Sequence, residues 1–389
     1  MLLTKDEKNR IEIIRAVSEG KIARADAALL LALSERQVYR LIAKQEADDI
    51  RHILHGNRGR APANKIAADL WAEIVALAKE RYAGVNDLHL QELLKREHGI
   101  AVGRESLRKQ LRSAGLAPKR KHRPKKYRVR RERKAAFGMM LQIDASDHDW
   151  LEGRAPRLTL LGAIDDATNY AWCRFEAEET TWGYLALMRT ILLREGVPLS
   201  LYSDRHMIFH SPREPTIIEQ LQQEEPLTQF GRACRELGIK IHKAYSPQAK
   251  GRIERLWEFM QDRLVVEMRL GGIATQQAAN QFLPSFLKRR NERFTVTAHD
   301  SNSLFRSAPR AKELDRMLCL KETRVVNGDH TISYQGVILQ LPRSSKYASI
   351  ARQRVEVLEL RDGSLEVIYK QHCILRLTGR MLKQMKEKK

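Results

Sequence analysis

The chain has 389 residues, enough for roughly two to four domains. Hydrophobic residues make up 43% and charged residues 30%, which supplies apolar material for real cores and excludes wholesale disorder. The 70 basic residues outnumber the 48 acidic ones by 22, so the expected partner is a polyanion, nucleic acid before a membrane surface.

No stretch of about 18 apolar residues occurs, so no transmembrane helix is expected. The N-terminus, MLLTKDEKNR, lacks the apolar run of a secretory signal. Cys173, Cys234, Cys319 and Cys373 have no C-x-x-C spacing. That argues against a zinc knuckle or a disulfide framework and fits a reducing cytoplasm, with all four read as small buried hydrophobes.

Residues 1–53 read as a helical DNA-binding domain. Ile11–Val17 is apolar-periodic, Ala27–Leu31 is one apolar stretch, and Ser34 opens a further helix after a tight turn. Ser34 with Gln37 three residues on forms a capping box, which satisfies free N–H groups at a helix start. Val38, Leu41 and Ile42 face inward and leave Arg36, Gln37 and Arg40 outside. This is a helix-turn-helix layout, whose second helix enters the major groove; an ordinary helical hairpin is the competing reading. Residues 54–64, LHGNRGRAPAN, are a Gly/Pro/Asn-rich linker.

Residues 65–118 repeat the theme as a second helix-turn-helix domain. Helices are expected at Ile66–Ala78, Leu88–Leu94 and Val102–Leu111, with Arg104, Arg108 and Lys109 outward. Gly103 stands where a Ser or Thr cap would be stronger. A basic linker, residues 119–137, opens with KRKHRPKKYRVRRERK, 11 Lys or Arg against one Glu. Lys119, Arg120, Lys125, Lys126, Arg130 and Arg131 are its candidate phosphate contacts, and such a run gives steep salt dependence.

Residues 138–300 change character. MMLQID, LTLLGAIDDA and AWCRFEAEE read as three strands, Trp182–Glu195 as a helix and Leu199–Ser203 as a fourth strand. Thr228–Leu237 reads as helix, Ile239–Ala244 as a fifth strand, and Lys250–Leu270 as a long helix with Ile253, Leu256, Trp257, Met260 and Leu264 on its apolar face. One more helix spans 275–295. The order predicts a mixed five-stranded sheet with helices packed on it, so the whole chain is multidomain α+β. Residues 301–378 alternate apolar and polar residues around the turn pairs Asn327-Gly328 and Asp362-Gly363, which reads as a small β barrel. Residues 379–389 read as a frayed basic tail.

Two strand ends in the central region finish in a carboxylate, Asp144 and Asp204. Glu254 lies early on the long helix, at about 100° from its apolar face, on the flank next to the core; Glu258 and Asp262 fall nearer solvent. Converging carboxylates repel unless a hard divalent cation neutralises them, and two Mg²⁺ ions about 3.5–4 Å apart suit polynucleotidyl transfer. Strand-end aspartates equally cap turns, so the trio alone leaves both readings open. Asp147 and Asp149 lie beyond the apolar run and read as loop; Asp165 and Asp166, beside Thr168 and Asn169, read as a hairpin turn. No P-loop or G-x-G-x-x-G occurs, so no nucleotide cofactor is expected.

The strings LQIDASDHDWL, LTLLGAIDDATNYAWCRFE, PLSLYSDRH and IKIHKAYSPQAKGRIERLWEFMQDRL resemble the catalytic core of DDE transposases and retroviral integrases, over roughly residues 138–295. The resemblance implies an RNase H-like core with its acids at Asp144, Asp204 and Glu254, spaced by 60 and 50 residues. It implies two Mg²⁺, with Mn²⁺ able to substitute, and a loop at Ser246 and Pro247 that touches DNA. Lys250 and Arg252 would then hold phosphates, a solvated charge pair being the competing reading. Two departures stand out: SDRH puts Arg205 and His206 after the second Asp, and SPREPTIIEQLQQEEPL looks like an insertion of unassigned role.

The whole arrangement looks like a bacterial insertion-sequence transposase. Such an enzyme binds terminal inverted repeats, cuts the 3′ ends with water, and joins them to target DNA. It implies a homo-oligomer on DNA and a cytoplasmic, nucleoid-associated location, with no membrane partner. Two other readings compete: a non-enzymatic DNA-binding regulator with a degenerate core, and a hydrolytic structure-specific nuclease.

Overall fold

The computed structural model describes residues 3–45, 65–119, 131–221, 225–243, 250–343 and 349–387. The linker 54–64, the basic residues Arg120, Lys125, Lys126 and Arg130, and the loop residues Ser246 and Pro247 lie outside them. The chain divides into two compact units, Met1–Ile74 and Val75–Lys389.

The first unit carries α1 (Lys5–Ser18), α2 (Arg24–Leu31) and α3 (Glu35–Gln45). Ala32, in the left-handed region at φ 53°, ends α2 and turns the chain. The expected capping box then starts α3: the Gln37 N–H donates to Ser34 Oγ at 3.3 Å, and the Ser34 N–H donates to Gln37 Oε1 at 3.2 Å. Ile14, Ala27 and Val38 form the core, with Leu41 and Ile42 packed against it. Arg36, Gln37 and Arg40 are exposed. The apolar stretch Ala27–Leu31 does not all turn inward: Ala27 and Ala28 are buried, while Leu29 is 81% exposed. Successive residues of a helix point about 100° apart, so one short helix cannot bury five in a row. The division between the units falls within α4 (Ala68–Glu80).

The second unit continues with α5 (Asp87–His98) and α6 (Arg104–Ser113). Asn86 caps α5, its Oδ1 accepting the His89 N–H at 2.8 Å, whereas Gly103 gives α6 no side-chain cap. Arg104, Arg108 and Lys109 are exposed, and Arg108 pairs with Glu105 at 2.6 Å.

The central sheet is built from β1 (Leu141–His148), β2 (Leu158–Asp165), β3 (Ala171–Glu176), β4 (Ser200–Ser203) and β5 (Lys240–Lys243). Its order is β3-β2-β1-β4-β5, antiparallel through β3, β2 and β1 and parallel through β1, β4 and β5. The expected mixed sheet is therefore present. Its helices are α7 (Thr181–Arg194), α8 (Ile217–Leu221), α9 (Gln229–Glu236), α10 (Gly251–Leu270) and α11 (Gln276–Phe294).

Alternation along the strands sorts two cores. Leu141, Ile143, Leu161 and Ala163 pack on one face with Tyr184, Met188 and Phe230. Leu158, Leu160 and Ile164 pack on the other with Ile253, Leu256, Met260 and Phe286. Asp165 caps the turn between β2 and β3 as expected, Oδ1 accepting the Thr168 N–H at 2.7 Å. Asp144 and Asp147, by contrast, lie inside β1 rather than at its end or in a loop. The antiparallel partner β2 pairs with every residue of β1 from Leu141 to His148 and so carries the strand past the apolar run.

Helices α5 and α6 fall in the same compact unit as this sheet. Ion pairs join α5 to the far half of α10 and to α11. Glu92 bonds Arg263 and Arg293, and Glu267 meets His89 and Arg96 at 3.3 Å each. Lys119 reaches Asp262 at 2.9 Å, so Asp262 faces this junction instead of open solvent.

The C-terminal part begins with α12 (Ala311–Met317) and β6 (Leu320–Val325). A hairpin of β7 (Thr331–Tyr334) and β8 (Val337–Gln340) follows, turning at Gln335-Gly336 with both φ angles positive. Then come β9 (Arg354–Glu359), β10 (Leu365–Tyr369), β11 (His372–Leu377) and α13 (Gly379–Glu387). The strands form a four-stranded sheet, β11-β10-β9-β6, beside the two-stranded hairpin. No closed barrel forms among the described residues: the two sheets bury one shared cluster, including Ile332, Leu339, Val357 and Val367, without bonding edge to edge. The expected frayed tail is instead helical over α13, whose Leu382 is anchored in that cluster. Cys234 and Cys319 are buried and Cys173 half-buried, but Cys373 is exposed near the start of the edge strand β11.

Candidate active site

The site is set by register. Leu141 and Gln142 of β1 pair with Leu201 and Tyr202 of the parallel neighbour β4. Three residues beyond Leu141 and Leu201 are Asp144 and Asp204, so the two aspartates stand at one level on adjacent strands. Both carboxylates meet the same cation. Lys250 Nζ lies 2.7 Å from Asp144 Oδ1 and 3.2 Å from Asp204 Oδ2. Lys250 is 11% exposed, Asp144 21% and Asp204 44%. Burial works to lower the Lys250 pKa, but the two carboxylates outweigh it and hold the amine above its ordinary value.

Helix α10 lies along β1 rung by rung. Alternation turns Gln142, Asp144 and Ser146 to its side. Gln142 Oε1 accepts the Ile253 N–H at 3.3 Å, Asp144 Oδ2 accepts Trp257 Nε1–H at 3.0 Å, and Ser146 Oγ accepts from Gln261 Nε2 at 3.2 Å. The helix residues are four apart and share one face. Trp257 is thus a core residue, as its periodicity predicts, and also a donor to Asp144. Its ring has room because the residue opposite Asp144 on β2 is Gly162: a Cβ there would sit 2.4 Å from Trp257 Cη2.

Glu254 is exposed in the first turn of α10. It falls four residues after Lys250 and three before Trp257, on the helix flank from which both reach Asp144. Its carboxylate is not gathered with the two aspartates: no group of three His, Cys, Asp or Glu side chains among the described residues is placed to hold a metal ion. Two carboxylates converging on one ammonium nonetheless form an all-oxygen pair already arranged around a positive charge, and that donor chemistry suits a hard cation.

Around this pair, the Asp204 side chain folds into a turn, Oδ1 accepting the His206 N–H at 2.9 Å. His206 Nδ1 is 4.0 Å from Glu179, which accepts a hydrogen bond from the buried Tyr184 hydroxyl at 2.8 Å. Burial, then Glu179, raises the Tyr184 pKa, and Asp144 and Asp204 add to the effect.

Three candidate phosphate contacts are engaged elsewhere. Arg252 is 10% exposed and lies 3.0 Å from the fully buried Asp166. Arg131 bonds the same carboxylate, which also accepts from Gln142 Nε2 and from the Lys134 N–H, each at 2.8 Å. Asp166 therefore ties the end of the basic linker, β1 and the start of α10 together, a hub that its reading as a turn residue does not reveal. A buried carboxylate needs paired charge, and Arg131 and Arg252 supply it in place of meeting solvent. Lys119 is held on Asp262.

Residues 10–70 match the winged helix-turn helix family. The chain is 34% identical over 374 residues to a putative transposase, y4bF, of Sinorhizobium fredii, covering 96% of this chain and 80% of that protein. It is 30% identical over 396 residues to the transposase for insertion sequence IS1202 of Streptococcus pneumoniae, covering 92% and 83%. Among solved structures, a simian T-cell lymphotropic virus intasome in complex with a PP2A regulatory subunit aligns with 78% of this chain and 98% of the matched chain. The sequence identity there is 15% and the TM-score 0.36.

Proposed function

The chain belongs to the insertion-sequence transposase family of these two bacterial relatives, and on that premise we propose that it moves DNA by two-metal-ion strand transfer at Asp144, Asp204 and Glu254. The observation that carries the reading is the convergence of Asp144 and Asp204, from neighbouring parallel strands, on the single ammonium of Lys250. Nothing in an ordinary sheet asks two carboxylates to share that level; a site for phosphodiester chemistry does.

The exposed Arg36, Gln37 and Arg40 of α3 read the element's terminal inverted repeats, with Arg104, Arg108 and Lys109 of α6 as a second contact surface. Asp144 and Asp204 would hold the divalent cations, Mg²⁺ or Mn²⁺, with Glu254 as the third carboxylate of the set. A metal held there would supply neutralisation of the scissile phosphate's charge and activation of a water or a 3′-hydroxyl. Trp257 fixes the Asp144 carboxylate through its indole N–H. Lys250, released from the two aspartates, turns its amine to a phosphate oxygen. Water first cleaves the phosphodiester at each 3′ end of the element. The freed 3′-oxygen then bonds to a target phosphorus as the target's own P–O3′ bond breaks, with no covalent protein–DNA intermediate.

The protein works as an oligomer on paired DNA ends, in the cytoplasm and on the nucleoid. No described helix is long and apolar enough to cross a membrane. The test is Asp144→Asn, assayed with labelled, pre-cleaved element ends and Mg²⁺. End binding in a mobility shift stays near wild type and strand joining is abolished. Retained joining would refute the assignment of Asp144 to the active site.

A further inference from the structure

The insertion between β4 and α9 has a structure that points to a use. It is rooted beside the active site: Phe209 is buried against Tyr184 and Phe230, and the Thr228 hydroxyl donates to the Ile208 carbonyl at 2.6 Å. From there the chain runs outward through Arg213, whose guanidinium meets Glu219 at 2.6 Å. Thr216 and Glu219 form a reciprocal cap at the start of α8. The returning arm is pinned to β5, with Glu225 at 2.6 Å from Lys243.

Strand β5 is the last in the sheet order, with no further described strand on its outer side. The insertion stands off from this edge and leaves a groove of about 570 Å³. Arg213, Arg235, Lys240 and Lys243 line it against one acid, Glu225. Lys240 is exposed and has no carboxylate partner among the described residues. The field is felt nearby: burial, then Lys240 and Lys134, hold His242 below the usual histidine value. His210 lines the groove and its Nε2 is 3.2 Å from Ser203 Oγ, so the groove opens one residue from Asp204.

We propose that this groove binds the sugar–phosphate backbone of a DNA strand that leads to the scissile phosphodiester, with Lys240 and Lys243 as phosphate contacts and the insertion as outer wall. A cationic trough focuses a polyanion, and the sheet edge sets its direction toward the aspartates. The placement rests on the active-site reading; the binding does not.

The test uses the full-length protein in EDTA, so that catalysis plays no part, and follows fluorescence anisotropy of labelled duplexes across a salt series. Each phosphate contact contributes about 0.9 to the slope of log affinity against log salt. Lys240→Gln, which breaks no ion pair among the described residues, lowers the slope by about 0.9, and Lys240→Gln with Lys243→Gln lowers it by up to about 1.8, Lys243 having first to part from Glu225. Lys288→Gln, an exposed change on α11, which binds β3 at the opposite sheet edge, leaves it unchanged. Two duplexes separate the sources. A loss confined to DNA ending in the terminal repeat assigns the groove to the element, and one confined to unrelated DNA assigns it to the target. Unchanged slopes on both duplexes for Lys240→Gln and for the double variant would overturn the proposal, whatever Asp144→Asn does to strand joining.

Discussion

Lys250 occupies the point between Asp144 and Asp204, so a divalent cation that uses those carboxylates must displace it. Replacing it by methionine keeps the length and apolar stem but removes the charge. The two bridges are unequal, since Asp204 is about twice as exposed as Asp144. An exposed ion pair is worth about 0.2–1 kcal/mol, while breaking a buried one costs about 3–5. A half-buried pair of bridges lies between, at about 1–3 kcal/mol, or roughly 5- to 150-fold in an equilibrium constant. Lys250→Met should therefore bind Mg²⁺ or Mn²⁺ roughly 5- to 150-fold more tightly in the absence of DNA, read by titration calorimetry. Without metal the variant should melt earlier than wild type, because two carboxylates then face each other uncompensated, and added Mg²⁺ should close the gap. Equal or weaker metal binding by Lys250→Met would show that the amine does not stand in the cation's place.

Two further outcomes follow from the contacts of α10. Trp257→Phe keeps an aromatic ring beside Gly162 but loses the 3.0 Å hydrogen bond to Asp144, a charged-group bond worth about 1.5–3 kcal/mol. Single-turnover strand joining should slow by roughly 10- to 100-fold with end binding intact; an unchanged rate would remove Trp257 from the site. For Glu267, burial works to raise the pKa, but His89, Arg96 and Arg289 prevail and hold it at about 2. A depressed carboxylate stabilises the fold above its unfolded value of 4.5 and loses that contribution as pH falls through about 2. The stability gap between wild type and Glu267→Gln, in urea titrations, should reach about 3 kcal/mol above pH 4.5 and shrink toward pH 2. A gap independent of pH would contradict the pairing.

Much of this was legible in the residues. The Ser34/Gln37 box, the order of strands and helices from 138 to 295, and the place of Asp204 after an apolar run are local signals, and local signals survive folding. What stayed hidden depends on partners far apart in the chain. The apolar run stops at Asp144, as at a strand end, yet pairing with β2 extends β1 to His148. The regular alternation Gln142, Asp144, Ser146 was the available clue to a polar face against α10. Arg131 and Arg252 read as free cations because their counter-ion, Asp166, sits in a turn 35 and 86 residues away. The ties of α5 stay hidden for the same reason, since its Glu92 meets Arg263 and Arg293, and its Arg96 meets Glu267, only in three dimensions. The C-terminal strands follow from their alternation, but alternation does not say whether sheets close, and among the described residues no closed barrel forms.

Anomalous diffraction from crystals grown with Mn²⁺ and an element-end duplex tests the central claim most directly. Manganese should lie within coordination distance of Asp144 and Asp204, with Glu254 drawn into the same site and the Lys250 amine moved onto a phosphate. Manganese bound elsewhere, with Lys250 still bridging the two aspartates over the bound DNA, would contradict it.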